Sequence, residues 1–432
     1  MTLPLITPTD LPPNRLRPTL KLTAAAAIAC TLVACGGGGG GQTAQPGTGG
    51  TGSYASGPIS GFGSVIVNGI RYEYDDDITV RNDDDDGLQE TALKLGATIE
   101  VEGSAVTPAT TAGGLARATA TSFRVVNEFK GPFSYTSGDT FRMLGQDMLV
   151  NTATVYEGAS SLADAASRIG STCPFAEVYG YYDATSQSYT VTRFECDDDA
   201  DDYRLFGPVS NLNGSTFKIN DLTVNYTIEL LDGEPIRAGN VVNVRLNKLA
   251  YDTLNDAQAT RITVRTRRAP DTDKAEVKGL INGRSESAGV LTFNINGLPV
   301  RVVSGTTELE DGLTLASLVN GERVEVEGRI VDGVLQAREV EREDDDELEE
   351  RAERQEFVGS ISVAERNLAN NGGSFTLTTS GGRVFTVTYL DTALDEDITS
   401  SQIADGNRVE VKGRLGSDGS SLTATEIDQE DD

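Results

Sequence analysis

Short runs in which apolar and polar residues alternate recur along the chain, and one region shows them most clearly. Leu291–Ile295 and Leu298–Val303 alternate on either side of Asn296-Gly297, the dipeptide most typical of a two-residue hairpin turn. A second pair of alternating runs flanks Asp332-Gly333 in the same way. A first strand over Ala275–Ile281 precedes both pairs. The pattern therefore predicts five short strands, of which the last four form two hairpins.

A different spacing separates the two predicted hairpins. Apolar residues between Leu309 and Val319 recur at a loosely helical period, and this stretch stops at Gly321. We expect a short helix or turn there. Five strands with a helical turn between the third and the fourth is the element order of an OB-type barrel, a small closed sheet. An open sandwich of the same strands is the alternative.

The same signals recur in five copies, each opening with glycine, any residue and then an apolar one. The opening glycines are Gly57, Gly131, Gly207, Gly279 and Gly359, which lie 74, 76, 72 and 80 residues apart. A regular period of this kind indicates tandem duplication of one small domain. We place repeat 1 at 57–128, repeat 2 at 129–202, repeat 3 at 203–270, repeat 4 at 275–342 and repeat 5 at 357–430.

The sequence therefore predicts an all-β protein, a tandem array of five small OB-like five-stranded barrels, each with a short helical turn. Five separate small cores are expected, and the barrels are expected to follow one another as a string. Units of this size are marginal alone, because a small domain buries a smaller share of its surface than a large one.

The repeated motifs also resemble a known family. The Gly-x-Ile opening, the Asn-Gly hairpin, the strand Gly-x-x-Val-Glu-Val-Glu-Gly at 321–328 and the terminal Ala-x-x-Val resemble domain of unknown function 5666, a repeat of bacterial lipoproteins. The resemblance covers about residues 57 to 428. It implies a location in the cell envelope and carries no catalytic signature.

Acidic segments lie between some of the repeats. The run Asp197–Asp202 is expected to stay extended and solvated, because its like charges repel. Residues 343–356 contain Glu and Arg four positions apart in the favourable order, which predicts a short solvated helix. This charged linker would act as a semi-rigid spacer before repeat 5.

The N-terminus has the features of a secretory signal peptide over residues 1–34. Basic residues precede the apolar run Leu22–Ala34, which is too short for a stable membrane span. The ending Leu32-Val33-Ala34-Cys35 resembles the bacterial lipobox, which implies lipid attachment at Cys35 and palmitate on the mature protein. Gly36 after the cysteine implies sorting to the outer membrane. An ordinary signal peptide with a chance cysteine is the alternative. Residues 35–56 are glycine-rich and predict a flexible tether.

The charge balance bears on the partners. The chain has 36 basic and 66 acidic residues, a formal net charge of -30. Nucleic acid binding relies on Lys and Arg at phosphates, so we expect no nucleic acid partner. The expected partners are the membrane, through the anchor at Cys35, and an envelope protein or polymer ligand.

Two cysteines lie in repeat 2. A turn at Asp183–Ser186 would lie midway between Cys173 and Cys196 and place them opposite each other in a regular hairpin. In an oxidising compartment this arrangement predicts a disulfide. Pro174 is the feature that would disturb the register, because proline breaks strand pairing.

One acidic segment of repeat 1 resembles half of a calcium loop. Asn82, Asp84 and Asp86 occupy the first, third and fifth positions and Gly87 the sixth, but Leu93 stands where a bidentate glutamate is needed. A solvated charge run is the simpler interpretation, and loose calcium association is the alternative. No metal or other cofactor is predicted.

Composition also argues against catalysis. The chain has no histidine, which excludes Ser-His-Asp and Cys-His nucleophile systems and zinc bound through histidine. The pairs Tyr72 with Tyr74 and Tyr179 with Tyr181 each lie on one face of a strand. We expect them to fill a core or an interface, and stacking on sugars is the alternative.

The sequence thus favours a non-enzymatic outer-membrane lipoprotein that acts as a binding or spacer scaffold. An acidic calcium-associating adhesion or matrix protein is the alternative. A carboxylate-dependent glycan hydrolase is a remoter one.

Overall fold

The computed structural model describes residues 52–75, 77–109, 115–232, 234–251, 256–265, 269–310, 312–344, 348–349, 353–367, 371–395 and 398–430. All of them belong to one compact unit. The predicted signal peptide, Cys35 and the tether up to residue 51 lie outside the described residues. Across the described ranges, no helix is both long and apolar enough to span a membrane.

The first two repeats consist of short strands. The strands of repeat 1 are β1 Ser53–Phe62, β2 Val65–Val67, β3 Ile70–Glu73, β4 Thr79–Asn82, β5 Gly87–Leu88, β6 Thr98–Gly103 and β7 Ala116–Val125, with a 3₁₀ turn at Glu90–Ala92. Those of repeat 2 are β8 Glu128–Gly131, β9 Phe133–Ser137, β10 Thr140–Met143, β11 Gln146–Leu149, β12 Val155–Glu157, β13 Phe175–Asp183 and β14 Ser188–Asp197, with helix α1 at Leu162–Ser167.

The last three repeats are built in the same way. Repeat 3 has β15 Tyr203–Pro208, β16 Ser210–Asn213, β17 Thr216–Ile219, β18 Leu222–Asn225, β19 Leu231–Asp232, β20 Val241–Leu246 and β21 Asp256–Val264, with 3₁₀ turns at Ile228–Leu230 and Lys248–Ala250. Repeat 4 has β22 Thr272–Leu280, β23 Asn282–Ser287, β24 Val290–Ile295, β25 Leu298–Val303, β26 Glu308–Leu309, β27 Arg323–Val331 and β28 Val334–Arg342. Repeat 5 has β29 Gln355–Asn367, β30 Gly372–Thr378, β31 Val384–Leu390, β32 Arg408–Leu415 and β33 Ser421–Gln429, with a 3₁₀ turn at Asp391–Ala393.

Repeat 4 shows how the strands close on themselves. β22 pairs antiparallel with β27, β27 with β28, and β28 parallel with β25. β25 pairs with β24 and β24 with β23, which continues β22 after one residue. The result is a closed five-stranded barrel in which strands one and five are not neighbours. The all-β class and a closed barrel are confirmed.

The two hairpins predicted for repeat 4 are confirmed. Ile295 pairs with Leu298 across Asn296-Gly297, and Val331 pairs with Val334 across Asp332-Gly333. All four turn residues have positive φ, as a two-residue hairpin turn of this type requires. The local sequence therefore sets this register.

The other repeats contain the corresponding pairings. Strand one pairs with strands two and four, strand three pairs parallel with strand five, and strand four pairs with strand five. In repeats 2 and 3 the first strand is divided in two at a single residue, Pro132 and Val209.

The helical turn differs between repeats. Only repeat 2 has an α-helix among the described residues, α1, whose N-cap Ser161 accepts a hydrogen bond from the backbone of Asp164. Repeats 1, 3 and 5 have 3₁₀ turns at this place, and residues 312–322 of repeat 4 form turns without a helix. Of the short helix or turn expected near Leu309–Val319, the structure therefore shows turns, because a loose apolar period in so short a stretch does not separate a helix from successive turns.

The opening glycines have a packing role. A Cβ on Gly279, whose φ is +159°, would lie 2.7 Å from the side chain of Ile295, and one on Gly359 would lie 2.5 Å from the carbonyl oxygen of Thr378. Strand one passes directly against the first hairpin at these points. Only glycine permits this approach, which explains why it recurs.

The cores are shared between repeats. One hydrophobic cluster runs through repeats 2 and 3, and another joins repeats 1 and 5. The third fills repeat 4 and takes in Tyr54 from repeat 1. The expectation of five separate cores is wrong, and the physical reason is that small barrels bury more apolar surface by packing together than alone.

Repeat 1 contacts all four other repeats. The first residues of β1, Ser53–Ser56, pair parallel with Lys274–Val277 of repeat 4, and Phe62 pairs with Phe357 of repeat 5. Lys94 contacts repeat 2, and Asp84 contacts repeat 3. A string in which each repeat meets only its neighbours in sequence is therefore wrong. The predicted tether also ends earlier than expected, because residues 53–56 are strand.

The acidic segments between repeats differ in part from the expectation. Asp197 pairs with Lys130 at 2.7 Å, Asp202 pairs with Arg204 at 3.1 Å, and Ala200 between them is fully buried. The two ends of this run and Ala200 are packed against repeats 2 and 3, whereas Asp198, Asp199 and Asp201 are exposed, as expected of a solvated run. In the linker 343–356, Leu348 is buried and helical, and residues 345–347 and 350–352 lie outside the described residues.

Candidate functional site

The three residues of the half calcium loop lie at the junction between repeats 1 and 3. Asn82 ends β4, and its Oδ1 accepts hydrogen bonds from the backbone N–H groups of Asp84 and Asp86, both at 3.0 Å. These bonds fold the segment into a compact loop. The loop turns its carboxylates towards the strands β20 and β21 of repeat 3.

Arginines of repeat 3 hold these carboxylates. Arg245 donates from Nε to Asp84 at 2.6 Å, and Arg261 donates from Nη1 to Asp86 at 2.9 Å. Thr263 donates to the second oxygen of Asp84 at 2.8 Å. Burial opposes ionisation of Asp86, but the hydrogen bond from Arg261 and the charges of both arginines lower its pKa.

A third arginine completes the junction. Arg265 pairs with Asp83 and donates to the side-chain oxygen of Asn127 at 2.5 Å, while its guanidinium lies over the ring of Phe206. Asp83 and Asp84 of the charge run are therefore packed against arginines of repeat 3, whereas Asp85 is 69% exposed, so the solvated interpretation holds for only part of the run. The described residues contain no group of three or more His, Cys, Asp or Glu side chains that could hold a metal ion.

The sequence contains a signal for this junction in strand four of repeat 3, although it is visible only when the repeats are aligned. Glu325 and Glu327 in the repeated strand of repeat 4 correspond to Asn243 and Arg245 in repeat 3. Repeats 1 and 4 have Glu102 and Glu327 at the position of Arg245, so the reversal of charge relative to these two repeats indicates that this strand of repeat 3 faces an acidic partner.

The junction between repeats 1 and 2 is a second buried charge cluster. Arg193 is 1% exposed and donates from Nη1 to the backbone carbonyl of Leu95 at 2.9 Å. It also pairs with Glu157 and, at 2.8 Å, with Glu195, which receives a further bond from Lys94 at 2.6 Å. Burial opposes ionisation of Glu195, but Arg193 and Lys94 lower its pKa. The cluster thus joins side chains of both repeats through paired charges.

Two further buried carboxyls have raised pKa values. Burial raises the pKa of Glu128 to about 7, although Arg204 of repeat 3 lies 3.0 Å from it and acts in the opposite direction. Burial and a hydrogen bond with Glu325 raise the pKa of Glu276 to about 10, while the pKa of Glu325 is lowered.

The Glu276 pair lies at the seam between repeats 1 and 4. Glu276 is 5% exposed, and its backbone carbonyl accepts a bond from Asn68 of repeat 1 at 3.0 Å. Lys274 lies 3.6 Å from Glu276, and Lys278 lies 2.7 Å from Glu325. A hydrolase needs two carboxyls on either side of an open cleft. This pair is instead closed between two repeats.

Cys173 and Cys196 are joined by a disulfide with a Cα–Cα distance of 4.8 Å. The expected register is wrong, because Cys196 pairs with Ala176 in the strand ladder and Cys173 lies before β13. A bulge at Tyr179-Gly180 and a turn one residue later than expected shift the strands. Cys173 therefore reaches its partner from a loop.

The tyrosine pairs lie mainly in the interior. Tyr72, Tyr179 and Tyr181 are all less than 5% exposed, and Tyr179 packs into the core shared by repeats 1 and 5. Tyr74 packs edge-on against Phe123 at 5.3 Å. The interpretation as core and interface residues is confirmed.

An open groove lies on repeat 5, away from the junctions. It has a volume of about 880 Å³ and is lined by the ends of β29 and β31, the starts of β30 and β33, and the turn after β31. Arg366 and Asp391 form a double hydrogen bond at its rim, and the bond from Arg366 lowers the pKa of Asp391. Tyr389 lines its floor and is 6% exposed. We call this the repeat 5 groove.

Comparison with known families supports the repeated motif. The family model of a domain of unknown function, DUF5666, matches residues 56–108, 273–341 and 365–428. The resemblance seen in the sequence is therefore confirmed for segments in repeats 1, 4 and 5. No curated protein matches the chain.

Several solved structures show a distant likeness. Drosophila Unr CSD456 is 16% identical, with 54% of this chain and 98% of that chain covered and a TM-score of 0.13. A multidomain protein with nucleic acid binding domains from Streptococcus pneumoniae is 12% identical, with 50% and 73% covered and a TM-score of 0.14. The Ifi202 HINa domain in complex with double-stranded DNA is 9% identical, with 36% and 94% covered and a TM-score of 0.14. At these TM-scores the likenesses carry no argument about this chain.

Proposed function

We propose that this protein is a non-enzymatic lipoprotein of the bacterial outer membrane, anchored through Cys35, which acts as a scaffold carrying a binding surface. In this proposal the five repeats are five OB-like barrels in tandem that dock around repeat 1. An envelope protein or polymer is the proposed ligand, and nucleic acid is not.

The observation that carries the proposal is the contact of repeat 1 with each other repeat. The contacts are made by the side chains that would otherwise suggest chemistry, such as Asp84 with Arg245 and Arg193 with Glu195. Buried charged side chains that pair with each other fix the relative orientation of the repeats rather than serve catalysis. A chain organised in this way suits a rigid support more than a flexible spacer.

Two substitutions test the anchor. Full-length protein is expressed in a Gram-negative host with labelled palmitate, and the membranes are fractionated. We expect the wild type and Cys30→Ala, which changes the other cysteine of the signal segment, to be labelled and to sediment with the outer membrane. Cys35→Ala is expected to lose both properties. Label retained on Cys35→Ala would contradict the proposal.

Small-angle scattering of the mature chain tests the scaffold. A compact chain of about 400 residues has a radius of gyration of about 21 Å, and the docked repeats are expected to lie near this value. A much larger radius would indicate a string. Compaction on calcium addition would support the alternative of a calcium-associating adhesion, which the pairing of Asp84 and Asp86 with arginines argues against.

A further inference from the structure

Repeat 5 has a sheet face covered with hydroxyl groups. Three adjacent strands, β30, β31 and β33, align their outward residues in two rows. The rows are Thr376, Thr386 and Ser421, and then Ser374, Thr388 and Thr423. All six are exposed or half-buried. We call this set the hydroxyl face.

The hydroxyl face is a regular grid. Neighbouring strands lie about 4.8 Å apart and alternate residues along a strand about 6.8 Å apart, so the six side chains form two rows of three. None of them is charged, although 24% of the chain is.

Other repeats do not share this chemistry. The corresponding positions of repeat 4 include Arg301 and Gln336, and in repeat 1 the corresponding Ile66 and Arg71 are buried. The hydroxyl face is therefore a property of repeat 5 and not of the repeated domain.

The repeat 5 groove continues the hydroxyl face at one end. Thr388 and Thr423 belong to both, and the Arg366–Asp391 pair stands at the rim. The other end of the same strands contacts repeat 1, where Ser380 donates to the carbonyl of Gly63 at 2.6 Å. Repeat 5 also contacts repeat 1 through Glu430, which follows β33 and pairs with Arg71 at 2.5 Å, and the residues that line the groove make none of these contacts.

We propose that the hydroxyl face and the repeat 5 groove bind a neutral polysaccharide. Hydroxyl groups both donate and accept hydrogen bonds, as sugar hydroxyls do, and the paired Arg366 and Asp391 add donors and an acceptor. The six residues of the hydroxyl face carry no charge, and Arg366 in the adjoining groove is paired with Asp391, so the site offers little complement to an ionic polymer. A groove of about 880 Å³ lies within the range of sites that enclose small ligands. This proposal rests on the scaffold function proposed above, since it names the class of its ligand.

Affinity electrophoresis of the full chain in detergent tests the proposal. The probes are dextran, galactomannan and xylan as neutral polymers, and alginate as an anionic one. Thr388→Val with Thr423→Val removes two hydroxyls and keeps the β-branched shape. The control is Thr223→Val with Thr292→Val, the same change on outward positions of repeats 3 and 4. Circular dichroism verifies that each variant is folded.

We expect at least one neutral polymer to retard the wild type and the control equally. The repeat 5 variant is expected to bind about tenfold more weakly, because two hydrogen bonds are lost. Absence of retardation by all three neutral polymers, retardation by alginate alone, or unchanged binding of the repeat 5 variant would each overturn the proposal. None of these results depends on the outcome of the palmitate labelling or of the scattering. The ligand proposal can therefore be wrong while the proposed lipoprotein scaffold is right, and the reverse.

Discussion

The guanidinium of Arg193 donates to the backbone carbonyl of Leu95 at 2.9 Å, and the two residues belong to different repeats. Arg193 is 1% exposed, so its charge is balanced entirely by neighbouring protein groups, among them Glu195 at 2.8 Å. A buried cation of this kind fixes how repeat 2 sits on repeat 1.

Replacement of Arg193 is expected to weaken the whole fold. Arg193→Met leaves the carbonyl of Leu95 without its donor and Glu195 with Lys94 as its remaining cationic partner, which lowers the free energy of unfolding by about 3 kcal/mol. Urea denaturation measures this change. The control is Arg338→Met, whose side chain is 63% exposed and pairs with Glu327, and whose expected effect is within about 1 kcal/mol. Equal effects of the two substitutions would contradict the role of Arg193.

The junction between repeats 1 and 3 predicts that two neighbouring aspartates of one loop contribute differently to stability. Asp84 is 7% exposed and Asp85 is 69% exposed. Asp84→Asn is expected to lower the free energy of unfolding by about 2 to 3 kcal/mol, less than for a fully buried pair because Arg245 is partly exposed. Asp85→Asn is expected to change it by less than about 1 kcal/mol. Chemical denaturation measures the free energy of unfolding of both variants. A larger loss for Asp85→Asn than for Asp84→Asn would contradict the role of Asp84 at the junction.

The seam between repeats 1 and 4 predicts a pH dependence. Burial and Glu325 raise the pKa of Glu276 from 4.5 to about 10. Between these two pH values the carboxyl of Glu276 keeps its proton in the folded chain and has lost it in the unfolded chain. The free energy of unfolding therefore falls as pH rises, by up to about 1.4 kcal/mol per pH unit from this group. Glu276→Gln stays neutral and is expected to show a shallower fall.

Denaturation midpoints between about pH 6 and about pH 9 measure the slope. Glu308→Gln, which changes an exposed carboxyl of the same repeat, serves as the control and is expected to keep the wild-type slope. A Glu276→Gln slope equal to that of the wild type would show that the buried carboxyl is ionised throughout.

The disulfide predicts a dependence on reductant. The bond between Cys173 and Cys196 spans 23 residues, and its loss is expected to lower the free energy of unfolding by about 3 kcal/mol. Denaturation with and without reductant measures the difference, with Cys173→Ser/Cys196→Ser as the variant insensitive to it. Peptide mapping without reduction should find the linked peptides, and two free thiols in the native protein would contradict the bond.

The recurring glycine predicts a steric effect. Gly359→Ala places a Cβ 2.5 Å from the carbonyl oxygen of Thr378, which is expected to cost about 1 to 3 kcal/mol of stability through displaced backbone. Gly87→Ala has no atom within 4 Å of its Cβ and is expected to change stability by less than about 0.5 kcal/mol. Thermal unfolding measures the stability of both variants. A Gly359→Ala protein as stable as the wild type would contradict the steric role of this glycine.

Much of the repeated unit could be predicted because its signals are local. Asn296-Gly297 and Asp332-Gly333 set their hairpins through φ values that few other residues adopt. The recurring glycine and the motif of strand four established the repeat and the family resemblance. The disulfide between Cys173 and Cys196 was predicted, but the pairing of the two strands around it was not. The bulge inside β13 that shifts this pairing leaves no mark in the sequence pattern.

The sequence by itself determined the strand order, the hairpin turns and the repeat, since these depend on residues a few positions apart. Only the tertiary structure decided which faces of the repeats meet. Asp84 meets Arg245 across 161 positions and Asn68 meets Glu276 across 208, and no local pattern relates such residues. The acidic loop was interpreted from the sequence as a solvated charge run, with calcium association as the alternative, and in the structure arginines of repeat 3 pair with Asp84 and Asp86, because a carboxylate is satisfied by whichever cation the packing brings to it.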